Sequence, residues 1–168
     1  MRFGYKSVQR FGRVIILFKM LKILNPIIVI SVFLLDRISK FLILKKLYFS
    51  EYKIFSFFSL RYVENTGIAF GLFQDRNLFF IISNTIFLTI LIYVKRKFRD
   101  TFSTIGIHLV IGGALGNIYD RIAYKYVVDF IDFHFFPAVF NIADASITVG
   151  AFFIGISALI ERIKEKKK

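Results

Sequence analysis

Four long apolar runs dominate the pattern of hydrophobic and polar positions along the chain. They cover roughly residues 24–44, 77–94, 104–122 and 139–160. About 20 largely apolar residues suffice for a helix to cross the hydrocarbon core of a bilayer. The pattern therefore predicts an all-α integral membrane fold with four transmembrane helices.

The segment between the first two runs, about residues 47–75, follows a different pattern. Short stretches of Phe, Tyr, Ile and Val are broken by Ser, Asn and Gly, which is typical of strands and turns. We expect a small extracytoplasmic β-sheet here, between helices 1 and 2. No repeat or linker divides the chain, so we expect one membrane domain (24–162) between a basic N-terminal extension (1–23) and a basic tail (163–168).

The distribution of charge predicts the orientation. The chain is 57% hydrophobic yet carries a formal net charge of +13, and its Lys and Arg collect in residues 1–22, 95–99 and 162–168. Basic flanks tend to stay in the cytoplasm, so we expect both termini inside the cell and lipid, rather than nucleic acid, as the surrounding partner. The absence of cysteine excludes disulfides, thiolate metal sites and a cysteine nucleophile.

The N-terminal segment has two interpretations. No small-residue cleavage site follows the weakly apolar residues 14–18, so we expect the N-terminus to be retained. Residues 1–19 carry five basic and no acidic side chains. They are either a basic segment lying on anionic lipid or an extension before a start at Met20.

The predicted topology collects the polar residues of the helices at one depth. With a rise of 1.5 Å per residue, Asp36 lies about 18 Å along the first helix from the cytoplasmic side, and Asn117 about 20 Å along the third. Asp144 falls in the first turns of the fourth helix, which begins outside. Candidate chemistry is therefore expected in the outer half of the membrane.

Two of the apolar runs contain polar residues at helical spacing. Asp36 and Lys40 share a helix face in the order that favours an ion pair, either as a structural pair or with Asp36 acting directly in chemistry. Gly113, Asn117 and Arg121 recur every four residues, and an amide and a guanidinium suit carbonyl or carboxylate partners. The neighbouring glycines, Gly112 and Gly116, suit close helix packing.

Asn65 stands before Thr66 and Gly67, a turn signature. Either this is an ordinary turn after a strand, or Asn65 presents its amide to an extended peptide. Of the two histidines, His108 is expected to be packed and hydrogen-bonded, and His134 to lie at the interface. Neither indicates a metal site.

The stretch VVDFIDFHFFPAVFNIAD, residues 127–144, concentrates three carboxylates in an apolar context. Pro137 and the aromatic residues permit a turn that brings Asp129 towards Asp144. Two carboxylates in one desolvated site share a proton, which is the state that general acid and base catalysis on a peptide bond requires. Helix capping or structural pairing remains open for both, and Asp132 is expected to be uninvolved.

Four blocks of the chain, taken together, resemble the lipoprotein signal peptidase family, signal peptidase II of bacteria. In chain order they are DRISK (36–40), ENTGIAFG (64–71), GGALGNIYDRIAYKYVVDFIDF (112–133) and FNIADASI (140–147). The resemblance implies a monomeric, four-helix intramembrane aspartyl protease of the bacterial inner membrane. It implies no metal or organic cofactor, and as substrates diacylglyceryl-modified prolipoproteins, cut on the N-terminal side of the lipidated cysteine.

The resemblance also implies roles for individual residues. The catalytic pair falls on Asp129 and Asp144. Positions that line or support the family's site fall on Asn65, Gly67, Asn117, Arg121, Asn141, Asp36, Lys40 and Asp120.

Two features depart from the family pattern. Ser39 stands where threonine is common, and the 15-residue interval between Asp129 and Asp144 is short, which predicts a trimmed loop. Two other classes stay open from the residues themselves: a small ion-coupled transporter or proton relay that uses the same carboxylates, and a structural membrane adaptor.

Overall fold

The computed structural model describes the backbone of residues 3–48, 50–67, 76–95 and 100–166, with side chains from residue 25 onwards. The helices are α1 (Phe3–Lys46), α2 (Asn77–Val94), α3 (Thr101–Ala123) and α4 (Ile142–Glu165), and the strands are β1 (Glu51–Phe55), β2 (Phe58–Asn65) and β3 (Val127–Phe133). Each predicted run falls largely within one of these helices, but α1 extends N-terminally beyond residue 24 to Phe3 and α4 begins at Ile142 and not at residue 139. Three parts of the prediction lie outside the described residues: the basic side chains of 1–23, residues 68–75 of the predicted sheet, and the basic residues 96–99.

Three helices of the described part are long and apolar enough to cross a membrane: α2, α3 and α4. Helix α1 is long enough, but Asp36, Arg37 and Lys40 interrupt its apolar run. Length and composition thus support three of the four predicted spans.

Helix α3 lies at the centre and packs against the other three helices. Small residues permit this close approach. A Cβ added at Gly112 would lie 2.8 Å from that of Val32 on α1, and one added at Gly106 would lie 2.5 Å from the carbonyl oxygen of Gly150 on α4. The predicted packing role of the α3 glycines is confirmed.

The sheet is antiparallel, with the strand order β1-β2-β3. Its third strand corrects the prediction, which confined the sheet to residues 47–75 and read the segment after α3 as an interfacial turn. Residues 127–133 are Val, Ile and Phe at five of seven positions, and such residues pack well on a pleated surface. Residues 134–139 form the connection to α4, and Phe140 forms a bridge with Ile131 on the free edge of β3.

Both histidines have hydrogen-bonded partners. His108 is buried in α3, donates from Nδ1 to the carbonyl oxygen of Thr104 (2.6 Å) and lies 3.4 Å from Lys95 Nζ through Nε2. The predicted packed role of His108 is confirmed. His134 lies at the sheet, with Nδ1 3.0 Å from the carbonyl oxygen of Ser56 and Nε2 3.2 Å from Ser59 Oγ.

Candidate active site

Asp129 is buried in the middle of β3 and is held by two side-chain amides. Its Oδ1 accepts from Asn141 Nδ2 (2.6 Å), and its Oδ2 accepts from Asn65 Nδ2 (2.8 Å). Burial, and next the charge of nearby Asp144, raise the pKa of Asp129 to about 7, and the two amides only partly offset this. The carboxyl group therefore keeps a proton to a higher pH than an exposed aspartate does.

Asp144 lies in the first turn of α4, in a reciprocal capping arrangement with Asn141. The Asp144 backbone N–H donates to Asn141 Oδ1 (2.9 Å), and the Asn141 backbone N–H donates to Asp144 Oδ2 (3.3 Å). The capping role considered for Asp144 is thus confirmed. Its other oxygen, Oδ1, accepts from Asn117 Nδ2 (2.7 Å) and faces the site.

Asn141 joins the two carboxyl groups. Its side-chain amide donates to Asp129, its side-chain oxygen caps the helix at Asp144, and the same Nδ2 lies 3.2 Å from Asn117 Oδ1. Because Asn141 is fully buried, water cannot replace these hydrogen-bond partners. One asparagine therefore fixes the strand carboxylate relative to the helix carboxylate.

A buried cluster of charges supports this arrangement from behind. Lys40 Nζ lies 3.0 Å from Asp36 Oδ1 and 2.7 Å from Asp120 Oδ2, and Arg37 pairs with the same two carboxylates at 2.6 and 2.5 Å. Two cations thus balance two anions away from solvent, as buried charges require. The predicted pairing of Asp36 with Lys40 is confirmed.

The cluster is connected to the site and to the backbone around it. Lys40 Nζ donates to Asn117 Oδ1 (3.1 Å), which leaves the Asn117 amide nitrogen directed at Asp144. Asp36 accepts from the backbone N–H of Ala143 on α4 (3.1 Å), and Asp120 accepts from that of Val128 on β3 (3.2 Å). The charges of α1 and α3 therefore set the positions of both elements that carry the aspartates.

Arg121 closes the site on the side of the loop after β2. Its Nη2 donates to the carbonyl oxygen of Gly67 (2.9 Å), and its guanidinium lies 4.4 Å from the centre of the Phe80 ring. Gly67 in turn donates its backbone N–H to Asn65 Oδ1 (3.0 Å), an Asx-type turn. The turn predicted at Asn65 is confirmed, and the Asn65 amide nitrogen donates its hydrogen bond to Asp129.

All the residues that the sequence placed at the site belong to one connected hydrogen-bond and ion-pair network. Asp132 lies apart from this network and pairs with Arg61 on β2 (2.9 Å), in keeping with its predicted lack of involvement. Sequence reasoning missed Arg37. A second cation inside an apolar run needs a carboxylate partner, and Asp120 was the available one.

Replacing Gly116 by alanine is expected to destabilise the protein. The added Cβ would lie 2.6 Å from Asp36 Oδ2, so that either the helices separate or the carboxylate leaves its partners. We expect a loss of about 1–3 kcal/mol in the free energy of unfolding, measured by thermal unfolding in detergent. The matched control is Gly155→Ala, because Gly155 has nothing within 4 Å of the new methyl group and alanine favours helix. Equal melting temperatures for the two variants would contradict the expected steric clash between a Cβ at position 116 and the Asp36 carboxylate.

The fold and the site together define a helical membrane protein whose buried carboxyl pair is held by amides at one end of the helix bundle. A sequence profile described as signal peptidase (SPase) II matches residues 28–160. The chain belongs to the signal peptidase II family and is a multi-pass bacterial membrane protease.

Relatives and solved structures agree with this assignment. A lipoprotein signal peptidase of Caldanaerobacter subterraneus subsp. tengcongensis is 45% identical over 132 residues, 77% of this chain and 91% of the relative. One of Clostridium novyi is 42% identical over 146 residues, 82% of this chain and 99% of the relative. A bacterial membrane enzyme solved by the in meso method at 2.3 Å resolution superposes with a TM-score of 0.79 and 32% identity, covering 86% of this chain and 92% of that one.

Proposed function

We propose that this protein is an intramembrane aspartyl endopeptidase that removes signal peptides from diacylglyceryl-modified prolipoproteins, with Asp129 and Asp144 as its catalytic residues. The scissile bond is the one on the N-terminal side of the lipidated cysteine. One observation carries the catalytic assignment: in a chain of the signal peptidase II family, the two carboxyl groups are tied to one buried asparagine, Asn141.

The reaction needs one proton on the carboxyl pair. The ionised carboxylate takes a proton from water as the water oxygen attacks the scissile carbonyl carbon, while the protonated carboxyl group donates to the carbonyl oxygen. When the tetrahedral diol intermediate collapses, the carbon–nitrogen bond breaks, the leaving amine takes a proton from one carboxyl group, and a hydroxyl of the intermediate returns a proton to the other, so the pair again holds one proton. The proton is assigned to the pair rather than to either residue, because coupled groups titrate together.

The membrane placement follows from the ends of the helices. Four spans with both termini in the cytoplasm put the site at the extracytoplasmic edge, with α1 as the fourth span. The charged residues that interrupt the apolar run of α1 are compatible with a membrane span, because they form ion pairs with Asp120 and with each other inside the protein. A monomer suffices, since the residues named above are on one chain.

The function is tested with purified protein in proteoliposomes and a synthetic prolipoprotein peptide, either S-diacylglyceryl-modified or unmodified at its cysteine. We expect cleavage before the modified cysteine, and cleavage of the unmodified peptide that is slower by about 100-fold or more, because the lipid supplies binding energy at the membrane. Proton or ion flux without cleavage of either peptide would favour the transporter class instead.

The pH dependence of cleavage should report the raised pKa of Asp129. Since that pKa is raised to about 7, the pair keeps its proton below neutral pH and loses it above. We expect kcat/KM to fall by roughly tenfold per pH unit on the alkaline side. The Asp132→Asn variant, which alters a carboxylate outside the site, should give the same profile. A rate that keeps rising towards pH 9 would argue against a protonated catalytic carboxyl group.

A further inference from the structure

Four phenylalanine side chains are exposed at the end of the sheet that lies farthest along the strands from Asn65. They are Phe55 and Phe57 at the β1–β2 turn and Phe135 and Phe136 after β3, with exposed fractions of 58%, 51%, 75% and 48% within the described part of the chain. We call these four residues the aromatic tip. Soluble surfaces seldom expose such a group together, so the tip is expected to have an apolar partner.

The two turns of the aromatic tip form one unit. The His134 backbone N–H donates to the carbonyl oxygen of Phe57 (3.0 Å), which joins the β1–β2 turn to the turn after β3. The Phe55 and Phe57 rings stack with their centres 5.6 Å apart. The exposed rings are therefore held on a pinned scaffold.

Ring contacts place the aromatic tip beside the start of a membrane helix. Phe136 packs edge-on against Phe140 (6.4 Å), and Phe140 also stacks on Phe133 (5.9 Å). Phe140 comes two residues before Ile142, where α4 begins. The tip thus lies beside the N-terminal end of a helix that is long and apolar enough to span a membrane.

The sequence of the aromatic tip suits that depth. Residues 54–58 (IFSFF) and 135–140 (FFPAVF) contain no charged side chain. The nearest charged side chain in sequence is Lys53, which precedes Ile54, and Arg61 and Asp132 pair with each other along the sheet. Aromatic side chains without charge concentrate where a protein meets the membrane–water interface.

We propose that the aromatic tip inserts into the interfacial region of the bilayer leaflet next to the α4 N-terminus, and that bilayer lipid is its partner. Insertion at the tip anchors the far end of the sheet, while α3, whose last residue Ala123 shortly precedes β3, anchors the near end. The strand that carries Asp129 is then held at a fixed depth. The inference rests on α4 spanning the membrane and not on peptide cleavage.

The chain contains no tryptophan, so a single introduced indole reports on its own surroundings. The full-length Phe135→Trp variant is reconstituted into vesicles of phosphatidylcholine and phosphatidylglycerol, with or without phosphatidylcholine brominated on the upper part of its acyl chains. The matched control is Lys53→Trp, because Lys53 is exposed on the same hairpin two residues before Phe55 but is a charged position that pairs with Ser59, so it tests whether quenching is confined to the phenylalanines of the tip. Phe57→Trp is the second reporter if Phe135→Trp does not give folded, monodisperse protein.

We expect bromine quenching to be about twofold or more stronger for Phe135→Trp than for Lys53→Trp, with emission at shorter wavelength, in the absence of any substrate. Equal weak quenching at both positions would overturn the proposal. So would short-wavelength emission without quenching, which indicates cover by protein from this chain or a second copy. Quenching that requires an added brominated diacylglyceryl peptide would reassign the surface to the substrate's lipid and also overturn it.

Discussion

Asp129→Asn and Asp144→Asn are each expected to lower the cleavage rate of a lipidated prolipoprotein by more than about a thousandfold, because either change removes one of the two groups between which the proton moves. Asparagine matches aspartate in shape, so the side chain still fits among its neighbours. The measurement is single-turnover cleavage in proteoliposomes, at equal amounts of monodisperse protein. The Asp129→Asn/Asp144→Asn double variant should be no worse than either single one, since the pair acts as a unit.

Asp132→Asn is the matched control for these variants. Asp132 lies three residues from Asp129 on the same strand, but it pairs with Arg61 and not with the site. Its loss should change the rate by no more than about threefold, because a half-exposed ion pair contributes little. Full activity in either catalytic variant would remove the aspartyl assignment, even if the family function stood.

The second large effect is expected at Lys40, which contacts no part of the proposed reaction directly. Lys40→Met removes the donor that orients Asn117 and leaves the carboxylates of Asp36 and Asp120 with one cation between them. We expect the free energy of unfolding to fall by about 3–5 kcal/mol and the specific activity of the folded fraction to fall by about 100-fold. Thermal unfolding and active-site-normalised cleavage measure the two effects separately.

Two further variants separate charge balance from orientation. Lys40→Met/Asp120→Asn restores the balance of buried charge, so part of the stability should return while activity stays low, because Asn117 Oδ1 still lacks the lysine ammonium and keeps only Asn141 Nδ2 as donor. Lys45→Met, at an exposed position near the end of α1, should leave both properties unchanged. If the double variant recovered full activity, Lys40 would act through charge balance alone.

The helices and the site residues were predictable from the sequence because their signals are local. An apolar run of span length and an i, i+4 ion pair need no tertiary information. Sequence blocks then identified Asn65, Asn117, Asn141 and both catalytic candidates. The structure connects these residues through short hydrogen bonds.

The third strand and Arg37 were missed because their signals are not local. Residues 127–133 pair with β2 across more than sixty positions, and a seven-residue apolar stretch next to aromatic residues fits a turn or a strand equally well. Arg37 has its second carboxylate partner, Asp120, 83 positions away. Nothing adjacent in sequence identifies that partner.

Asn141 has a consequence for biosynthesis. It caps α4 and holds Asp129 with the same side chain, and α4 leaves the ribosome after the other described helices. Until that helix is inserted and docked against α3, Asp129 lacks one of its two amide donors, and Asp144, which α4 carries, is not positioned near Asp129. Under the proposed catalytic assignment, a chain that is still being made therefore has no complete carboxyl pair, and hydrolytic activity is expected to begin only when α4 has been inserted and docked.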